Sequence, residues 1–442
     1  MIDSSATSPV SAESSESPSQ PELFFRNRFV LWCAFIAVHL WLGLINLFGP
    51  GLPLGDVTLV YKFWTDQALV QNYLVGIDGP WVYPILALIP MLFAVSLGPA
   101  LYASTWLSLV MILNGVAFGA LTGWGRKPRN ITAGWWWVGF LVLLGPIALG
   151  RIDSITVPLG IVGMLLVFRQ PGTAAAILTV ATWIKVWPAA VLAALVIALR
   201  ARRPVAVAAA VVSGTVVALA LTLGSGWNVV SFVTAQAGRG LQVESPVSTI
   251  WLWLAAGGAS RAFVYYDQDI LTYQVSGDGT ALVSALMTPV LACAALAVAV
   301  LGFVAARRGV RELDLLSPLA LALVATLITF NKVGSPQFIM WLAVPIISGI
   351  VVERASGGIS FQIPATLAAI IALLTQLIYP YFYTALLSLN PVMLLALTTR
   401  NGLLFVLLGW AVVTVVRLIR SVKPETAYSP GTRTVVNLWP LR

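Results

Sequence analysis

Apolar stretches of about 20 residues recur along most of the chain, separated by short polar breaks. A helix of about 20 apolar residues crosses the hydrocarbon core of a bilayer. Lipid cannot satisfy the backbone groups of irregular segments, so helices are the predicted spanning elements. The pattern therefore predicts an all-α polytopic membrane protein with about twelve transmembrane helices. They fall near residues 29–48, 100–121, 133–150, 153–168, 173–185, 187–199, 204–224, 281–305, 314–330, 336–352, 362–378 and 402–420.

Four apolar stretches depart from a simple crossing. Segments 173–185 and 187–199 are too short for two full spans, so we predict a pair of half-helices that bend at Pro188. Stretches 81–97 and 384–398 are predicted to be re-entrant or interfacial. Counting 81–97 as a full span would reverse the side of every later loop.

Basic residues set the predicted orientation. With the N-terminus in the cytoplasm, the inner side receives 18 of the 25 lysine and arginine residues and the outer side receives seven. Cytoplasmic loops are enriched in Lys and Arg. We therefore predict a multi-pass protein of the cell (plasma) membrane with both termini in the cytoplasm. The outer seven are Lys62, Arg151, Lys185, Arg239, Arg261, Lys332 and Arg400.

Three regions are predicted: a cytoplasmic tail over 1–25, a transmembrane domain over 26–424 and a second tail over 425–442. The first tail is rich in Ser, Glu and Pro, which is typical of disorder. Two outer segments, about 49–99 and 225–280, are too long for simple connections. Their Trp, Tyr and Leu residues argue against disorder, so we expect outer juxtamembrane helices and functional residues there.

The amino-acid composition excludes several classes of function for this protein. The chain is 59% hydrophobic and 9% charged, whereas soluble domains are about 25% charged. Its net charge of +9 is explained by basic cytoplasmic loops, so no nucleic-acid partner is predicted. Cys33 and Cys293 lie inside apolar runs and are interpreted as packing residues, as is His39, the single histidine. These few residues predict no zinc or iron site.

Asp56 is the first candidate for chemistry. It follows the turn GLPLG where the first span is predicted to end, and residues with amphipathic helical spacing follow it. The helix dipole stabilises a carboxylate at a helix start, so Asp56 is either a helix N-cap or a reactive group. Tyr61 and Trp64 lie in the same outer segment. Tyr83, further along it, fits a sugar-binding surface or an interfacial aromatic belt equally well.

Further charged residues lie at the predicted ends of spans. Arg151 and Asp153 join two spans with almost no loop, where charges must pair with each other or with a ligand. Lys185 lies between two apolar half-helices, where its natural counter-charge is an anion such as a lipid phosphate. Snorkelling to the interface is the alternative. Lys332 and Gln337 lie in the motif NKVGSPQF at another predicted outer junction.

The remaining candidates are polar or aromatic groups of the outer face. Arg239 and Glu244 lie in the second outer segment, and Tyr381 lies in the stretch YPYFY, which suits sugar stacking or an interface belt. The chain has no GxxxxGK[ST] motif, no GxGxxG after a strand and no Ser–His–Asp set. No cytoplasmic domain is predicted that could bind a nucleotide sugar, so a lipid-linked donor is favoured.

Four motifs together resemble glycosyltransferase family 87. They are Gly55–Asp56 soon after the first span, Tyr83–Pro84, the Lys-x-x-Pro of Lys185 and Pro188, and the segment from Asn331 through Ser335, Pro336 and Gln337 to Trp341. The family contains GT-C-fold α-mannosyltransferases of actinobacterial envelopes, of the phosphatidylinositol mannoside and lipomannan pathway. The resemblance covers most of residues 29–420. It implies a GT-C-like helix bundle that uses polyprenyl-phosphate mannose or a related lipid donor.

The resemblance also implies roles for residues. Asp56 would be the general base that deprotonates the acceptor hydroxyl, and Lys185 would lie near the donor phosphate. Arg151 and Asp153 stand where relatives often carry Gln and Asn, which puts the contacts there in doubt. Many GT-C enzymes bind a divalent metal, Mg²⁺ or Mn²⁺, but the acids of this chain are too sparse to predict one.

We therefore expect a membrane glycosyltransferase that moves mannose, or arabinose as the main rival, to a glycolipid or glycan acceptor on the outer face. Donor contacts are expected from Lys185, Lys332, Arg151, Asp153 and Gln337. Acceptor or lipid contacts are expected from Tyr61, Trp64, Tyr83, Arg239, Glu244 and Tyr381. An inverting displacement needs one carboxylate and a cationic group. A flippase or other transporter, with ionisable groups near the midplane, and a non-catalytic scaffold remain the alternatives.

Overall fold

The computed structural model describes residues 27–124, 130–235 and 238–422, which form a helical bundle with one β-hairpin. Both predicted tails lie outside these residues. The helices are α1 (Arg28–Phe48), α2 (Lys62–Val70), α3 (Leu88–Phe93), α4 (Tyr102–Thr122), α5 (Ile131–Leu144), α6 (Asp153–Leu166), α7 (Pro171–Ile184), α8 (Pro188–Ala198), α9 (Arg202–Thr222), α10 (Ser231–Thr234), α11 (Thr249–Ala256), α12 (Thr280–Arg307), α13 (Glu312–Thr329), α14 (Ala343–Ser356), α15 (Gln362–Gln376), α16 (Tyr383–Leu387) and α17 (Pro391–Ser421). Several begin or end in a 3₁₀ or π-helical turn.

Within the described ranges, nine helical segments are long and apolar enough to cross a membrane. They are Arg28–Phe48, Pro99–Thr122, Ile131–Ala148, Arg202–Thr222, Thr280–Arg307, Glu312–Thr329, Pro336–Ser356, Gln362–Tyr381 and Pro391–Ser421. The predicted helical, polytopic membrane architecture is confirmed. The predicted number of about twelve transmembrane helices is not confirmed, because α6, α7 and α8 have only 14, 14 and 11 residues. A 14-residue helix rises about 21 Å, less than the roughly 30 Å of a hydrocarbon core.

The predicted pair of half-helices is present. Helix α7 ends at Ile184, Lys185 is extended with φ −150° and ψ 135°, and α8 starts at Pro188. Proline suits the first turn of a helix because the backbone N–H it lacks would have no partner there. The break therefore begins three residues before the predicted bend, at the lysine itself.

The C-terminal stretch differs from its prediction. Segment 384–398 was expected to be re-entrant and separate from a span at 402–420, but most of it belongs to the continuous 31-residue helix α17. The side chain of Asn390 caps that helix by accepting a hydrogen bond from the Val392 N–H at 3.0 Å. In contrast, segment 81–97 holds only the six-residue α3 and a 3₁₀ turn, both too short to cross.

The outer segments contain short helices, as predicted, and one hairpin that was not predicted. Strands β1 (Phe263–Asp267) and β2 (Thr272–Ser276) pair antiparallel, with Phe263 opposite Ser276 and Asp267 opposite Thr272. The Asp267 carboxylate accepts a hydrogen bond from the Asp269 N–H at 3.0 Å and closes the turn. Both strands are rich in Tyr, Val and Thr, which favour strands. The predicted all-α fold is therefore corrected to a helical fold with one small β-hairpin.

Burial separates the centre of the bundle from its lipid-facing rim. The apolar windows of Glu312–Thr329 and Pro336–Ser356 are 83% buried, whereas those of α9 and α12 are only 17% buried. His39 is a buried packing residue, as predicted, with Nδ1 2.9 Å from the Phe35 carbonyl and Nε2 3.1 Å from the Asn114 amide. The two cysteines were expected to pack inside, but both are exposed and free.

Candidate active site

A cavity of about 720 Å³ lies where the two long predicted outer segments meet the ends of the helices. Ten of the twelve residues predicted for the site line this cavity, although they come from six separate parts of the chain. They are Asp56, Tyr61, Trp64, Tyr83, Arg151, Lys185, Arg239, Glu244, Lys332 and Gln337. Asp153 and Tyr381 are absent from its wall. The fold thus brings the predicted acid and lysines together.

Asp56 begins a π-helical turn, Asp56–Tyr61, that leads into α2. The residue at the cap position is Gly55, and no side chain caps this turn. The Asp56 carboxylate instead lies 3.1 Å from Arg151 Nε, and its side chain is 39% exposed. The N-cap hypothesis is therefore wrong, and the carboxylate remains accessible from the cavity.

The guanidinium of Arg151 is 5% exposed and is surrounded by acceptors. It donates to Gln337 Oε1 at 3.0 Å, to the Pro53 and Gly150 carbonyls at 2.7 and 2.8 Å, and to the Tyr379 hydroxyl at 3.0 Å. Burial alone would lower the pKa of Arg151, but Asp56, Tyr379 and Tyr61 together more than offset this and the pKa is raised. The simple Arg151–Asp153 ion pair considered from the sequence is not formed.

Asp153 lies behind the cavity wall rather than on it. It is completely buried, and its Oδ1 accepts a hydrogen bond from Trp341 Nε1 at 2.6 Å. The Trp341 ring stacks on Trp187, with centroids 5.6 Å apart and planes 9° from parallel. Asp153 therefore orients an aromatic pair that lines the cavity, and its predicted direct contact with a donor is not available in this arrangement.

Lys185 reaches into the cavity from the break between α7 and α8. Its Nζ lies 4.2 Å above the ring centroid of Tyr83, a cation–π geometry. Trp64 contacts Tyr83 edge-on, with centroids 5.8 Å apart. Among the described residues, no carboxylate lies within ion-pairing distance of Lys185. The ammonium group is thus held by an aromatic face and oriented toward the cavity.

Lys332 lies in the loop between α13 and the 3₁₀ turn Pro336–Leu342. Its carbonyl accepts a hydrogen bond from the Gln242 N–H at 3.0 Å, which ties this loop to the second outer segment. A Cβ added at Gly334 would collide with the backbone of Glu244 and Ser245, so glycine permits this close approach. Burial lowers the pKa of Lys332.

Glu244 and Arg400 form a buried pair at the edge of the cavity. Arg400 Nη1 donates to Glu244 Oε2 at 2.7 Å, and its Nη2 donates to the Glu244 carbonyl at 2.6 Å. Burial raises the pKa of Glu244, an effect that Arg400 opposes. The sequence suggested Glu244 as an acceptor ligand and gave Arg400 no role. The pair instead anchors the second outer segment to α17.

Four tyrosines follow one another along the cavity wall; we call them the tyrosine line. Tyr379 and Tyr383 come from the stretch YPYFY considered from the sequence, whereas Tyr266 and Tyr273 were not predicted. Successive ring centroids are 4.9 Å (Tyr266 to Tyr273), 6.0 Å (Tyr273 to Tyr383) and 5.3 Å (Tyr383 to Tyr379) apart. The line runs from the hairpin to the Arg151 guanidinium. In YPYFY the rings of Tyr379 and Tyr383 contact each other, whereas Tyr381 is 39% exposed and absent from the cavity wall.

Tyr61 has a structural role in the cavity wall. It is completely buried, and its hydroxyl accepts a hydrogen bond from the Ile152 N–H at 3.2 Å. Asp66 and Asp78, two further acids of the segment 49–99, have local partners. Asp66 pairs with Lys62 at 2.9 Å, and Asp78 accepts from the Leu74 N–H at 2.6 Å.

One side of the cavity is apolar and borders the lipid-facing rim; we call it the apolar flank. It is formed by Phe232, Val233, Met287, Thr288, Leu291 and Leu327. Most of these residues belong to α10 and to the poorly buried helix α12. The cavity therefore offers charged groups at one side and hydrocarbon-compatible surface at the other.

The acids of the site do not form a metal centre. Across 27–124, 130–235 and 238–422, no group of three or more His, Cys, Asp or Glu side chains is placed to hold a metal ion. Asp56 is paired with Arg151 and Glu244 with Arg400.

Fold and cavity together define a class: a polytopic helical membrane protein with a mixed charged and aromatic chamber, consistent with a GT-C fold. The family model of glycosyltransferase family 87 matches residues 81–336, more than half of the 442-residue chain. The protein belongs to that family and is a glycosyltransferase, which uses a sugar donor and an acceptor. No match is found among curated proteins or solved structures. Asp56 lies before the matched segment in the chain and contacts it through the ion pair with Arg151.

Proposed function

We propose that this glycosyltransferase moves mannose from a polyprenyl-phosphate donor to a glycolipid or glycan acceptor, on the outer face of the cell membrane. The composition of the cavity carries the proposal. Its wall joins the Asp56 carboxylate to the Lys185 and Lys332 ammonium groups and continues into the apolar flank. A complementary ligand has a sugar, an anionic group and a hydrocarbon chain, which is the chemistry of a lipid-phosphate sugar.

Asp56 acts as the general base. As the acceptor oxygen bonds to the anomeric carbon, the bond from that carbon to the phosphate oxygen breaks, and the hydroxyl proton passes to Asp56. The lipid phosphate leaves with the bonding electrons. Lys185 and Lys332 stabilise the negative charge that develops on it. A single displacement opposite the leaving group inverts the anomeric configuration.

The tyrosine line supports an acceptor that already carries sugar. Tyrosine rings offer flat apolar faces with polar edges, which suit sugar rings. The line leads from the exposed hairpin to Arg151, which lies 3.1 Å from Asp56. An acceptor glycan on this line would present its terminal hydroxyl to the carboxylate. Arg239, also on the wall, would contact its polar groups.

A through-going aqueous path lined by both His39 and Lys185 would favour the transporter alternative. In the described structure His39 is 1% exposed, is bonded to Phe35 and Asn114, and is absent from the cavity wall. This arrangement favours an enclosed reaction chamber over a through-going path.

An in vitro transfer assay tests the proposal. Full-length protein in lipid nanodiscs is given polyprenyl-phosphate mannose as donor and octyl mannoside as acceptor, with Asp56→Asn beside wild type. We expect wild-type transfer and a loss of at least about 100-fold in the variant, because a general base contributes about 10²- to 10⁴-fold. Nuclear magnetic resonance of the product reports the anomeric configuration.

Alternative donors test which sugar is transferred and whether its carrier is a lipid phosphate. Polyprenyl-phosphate arabinose and guanosine diphosphate mannose are supplied in parallel, and neither should support comparable transfer. Transfer from the nucleotide sugar alone would reject the lipid-linked donor, and preference for arabinose would reject mannose. Equal activity of wild type and Asp56→Asn would remove Asp56 from the mechanism.

A further inference from the structure

Arg151 is almost completely enclosed by protein partners, although it lies at the cavity wall. Its side chain is 5% exposed, whereas the Asp56 side chain beside it is 39% exposed. A guanidinium has five N–H donors. Four of them are used by Gln337 Oε1, the Pro53 and Gly150 carbonyls and the Tyr379 hydroxyl. A donor phosphate could gain bidentate contact with this group only by displacing protein partners.

The partners of Arg151 come from four separate parts of the chain. Pro53 lies three residues before Asp56 in the same turn, so one guanidinium holds both the backbone of that turn and its carboxylate. Gln337 belongs to the 3₁₀ turn after the Lys332 loop, and Tyr379 ends the tyrosine line. Close packing strengthens this junction, since a Cβ at Gly51 would lie 2.8 Å from Pro380.

The contact with Arg151 matters because no other ion pair orients the Asp56 carboxylate within the described part of the chain. A general base must be held within about 0.5 Å of its productive position, and a misplacement of 1 Å can cost about 100-fold in rate. No helix cap orients the Asp56 carboxylate. Among the described residues, its ion-pair partner is Arg151, at 3.1 Å.

We infer that Arg151 is a positioning residue: it holds the Asp56 carboxylate in place and links it to the donor-side Gln337 and the acceptor-side Tyr379. This inference rests on the proposed role of Asp56 as general base. It replaces the expectation that Arg151 binds the donor. Because the guanidinium contacts both sides of the cavity, the orientation of the base depends on the walls that bind the two substrates.

Separate measurement of kcat and KM tests the inference. Arg151→Met and Arg151→Lys are assayed in nanodiscs with polyprenyl-phosphate mannose and octyl mannoside. We expect Arg151→Met to lower kcat about 100-fold with the donor KM within about twofold of wild type. Arg151→Lys should recover part of kcat, because an ammonium can pair with Asp56 but cannot hold the other partners in a planar fork.

Tyr379→Phe is a milder variant in case Arg151→Met does not fold. It removes one acceptor of the guanidinium and keeps the aromatic ring, so we expect kcat to fall about fivefold to tenfold. Arg261→Met is the control. Arg261 forms an exposed ion pair with Asp278 at 3.3 Å, away from the cavity wall, and its loss should leave both constants unchanged.

The outcomes separate this inference from the proposed function. A large rise in donor KM with unchanged kcat in Arg151→Met would make Arg151 a donor ligand and reject the positioning role. Unchanged constants in both Arg151→Met and Tyr379→Phe would also reject it. If Asp56→Asn retains full activity, the general base itself fails. Loss in Asp56→Asn with full activity in Arg151→Met would reject only the inference.

Discussion

Lys332 combines a cationic side chain with a buried position at the cavity. Burial favours its neutral form and lowers its pKa from the usual 10.5. Lys185, in contrast, lies over the face of Tyr83, which stabilises a cation. Two lysines of one site thus have different environments. At the residue scale, the burial of Lys332 predicts an alkaline limit for donor binding.

We predict that the donor KM of the wild type rises at alkaline pH, beginning below the pH at which an ordinary lysine deprotonates. The reason is that Lys332 must be protonated to bind a phosphate, and its charge is lost as pH rises through the lowered pKa. Lys332→Arg should remove this rise, because arginine stays protonated. The measurement is donor KM against pH.

Lys62→Arg is the control for this prediction. Lys62 forms a local pair with Asp66 at 2.9 Å and is absent from the cavity wall, so the substitution should leave the pH profile unchanged. An alkaline rise that persists in Lys332→Arg would assign the effect to another group.

At the scale of elements, the site depends on contacts between loops. The Lys332 loop and the second outer segment approach at Gly334, where there is no room for a side chain. The Glu244–Arg400 pair fixes the same segment to α17. Removing one partner of such a buried pair typically costs about 3–5 kcal/mol. The loops therefore behave as part of a packed unit.

Gly334→Ala tests the loop contact. We predict a loss of about 1–3 kcal/mol in unfolding free energy, typical of overpacking, together with a raised donor KM because Lys332 moves. Gly139→Ala is the matched control. Gly139 lies within α5 with no atom near its added Cβ, and alanine is favoured over glycine in a helix.

Urea unfolding and donor titration of the purified protein measure both effects. If Gly334→Ala and Gly139→Ala have the same stability and donor KM, the close approach does not position Lys332.

At the scale of the whole molecule, one end of the bundle holds the cavity. Arg200 and Glu312, 3.6 Å apart, lie where α8 and α9 meet α13 at the other end. Among the described residues, six arginines predicted for the inner side adjoin this second end: Arg200, Arg202, Arg203, Arg307, Arg308 and Arg311. The asymmetry favours an outward-facing cavity, because basic loops remain in the cytoplasm.

Labelling of single cysteines tests the orientation. In a Cys33→Ala, Cys293→Ala background, Arg261→Cys and Arg308→Cys place exposed thiols near the cavity end and at the opposite end. We predict that a membrane-impermeant maleimide labels Arg261→Cys in intact cells, and labels Arg308→Cys only after permeabilisation. The reverse pattern would reject an outer active site, and equal labelling in intact cells would reject the assignment of the two ends to opposite sides.

Several features could be predicted from the sequence because they depend on local chemistry. Apolar length fixed the long spans, and proline with an isolated lysine indicated the break between α7 and α8. Other features could not. The N-cap hypothesis for Asp56 failed because Arg151, 95 residues later, takes its carboxylate. The separate re-entrant stretch at 384–398 failed because Asn390 and Pro391 start a continuous helix.

The sequence by itself determined that this chain is a helical membrane protein and which polar residues are unusual in it. Hydrophobic length and residue scarcity are properties of short segments, so they can be read without a fold. Tertiary structure alone decided the partners: Arg151 with Asp56, Glu244 with Arg400, and four tyrosines in one line. Partner choice depends on distances between segments far apart in the chain, and only packing of the helices sets those distances.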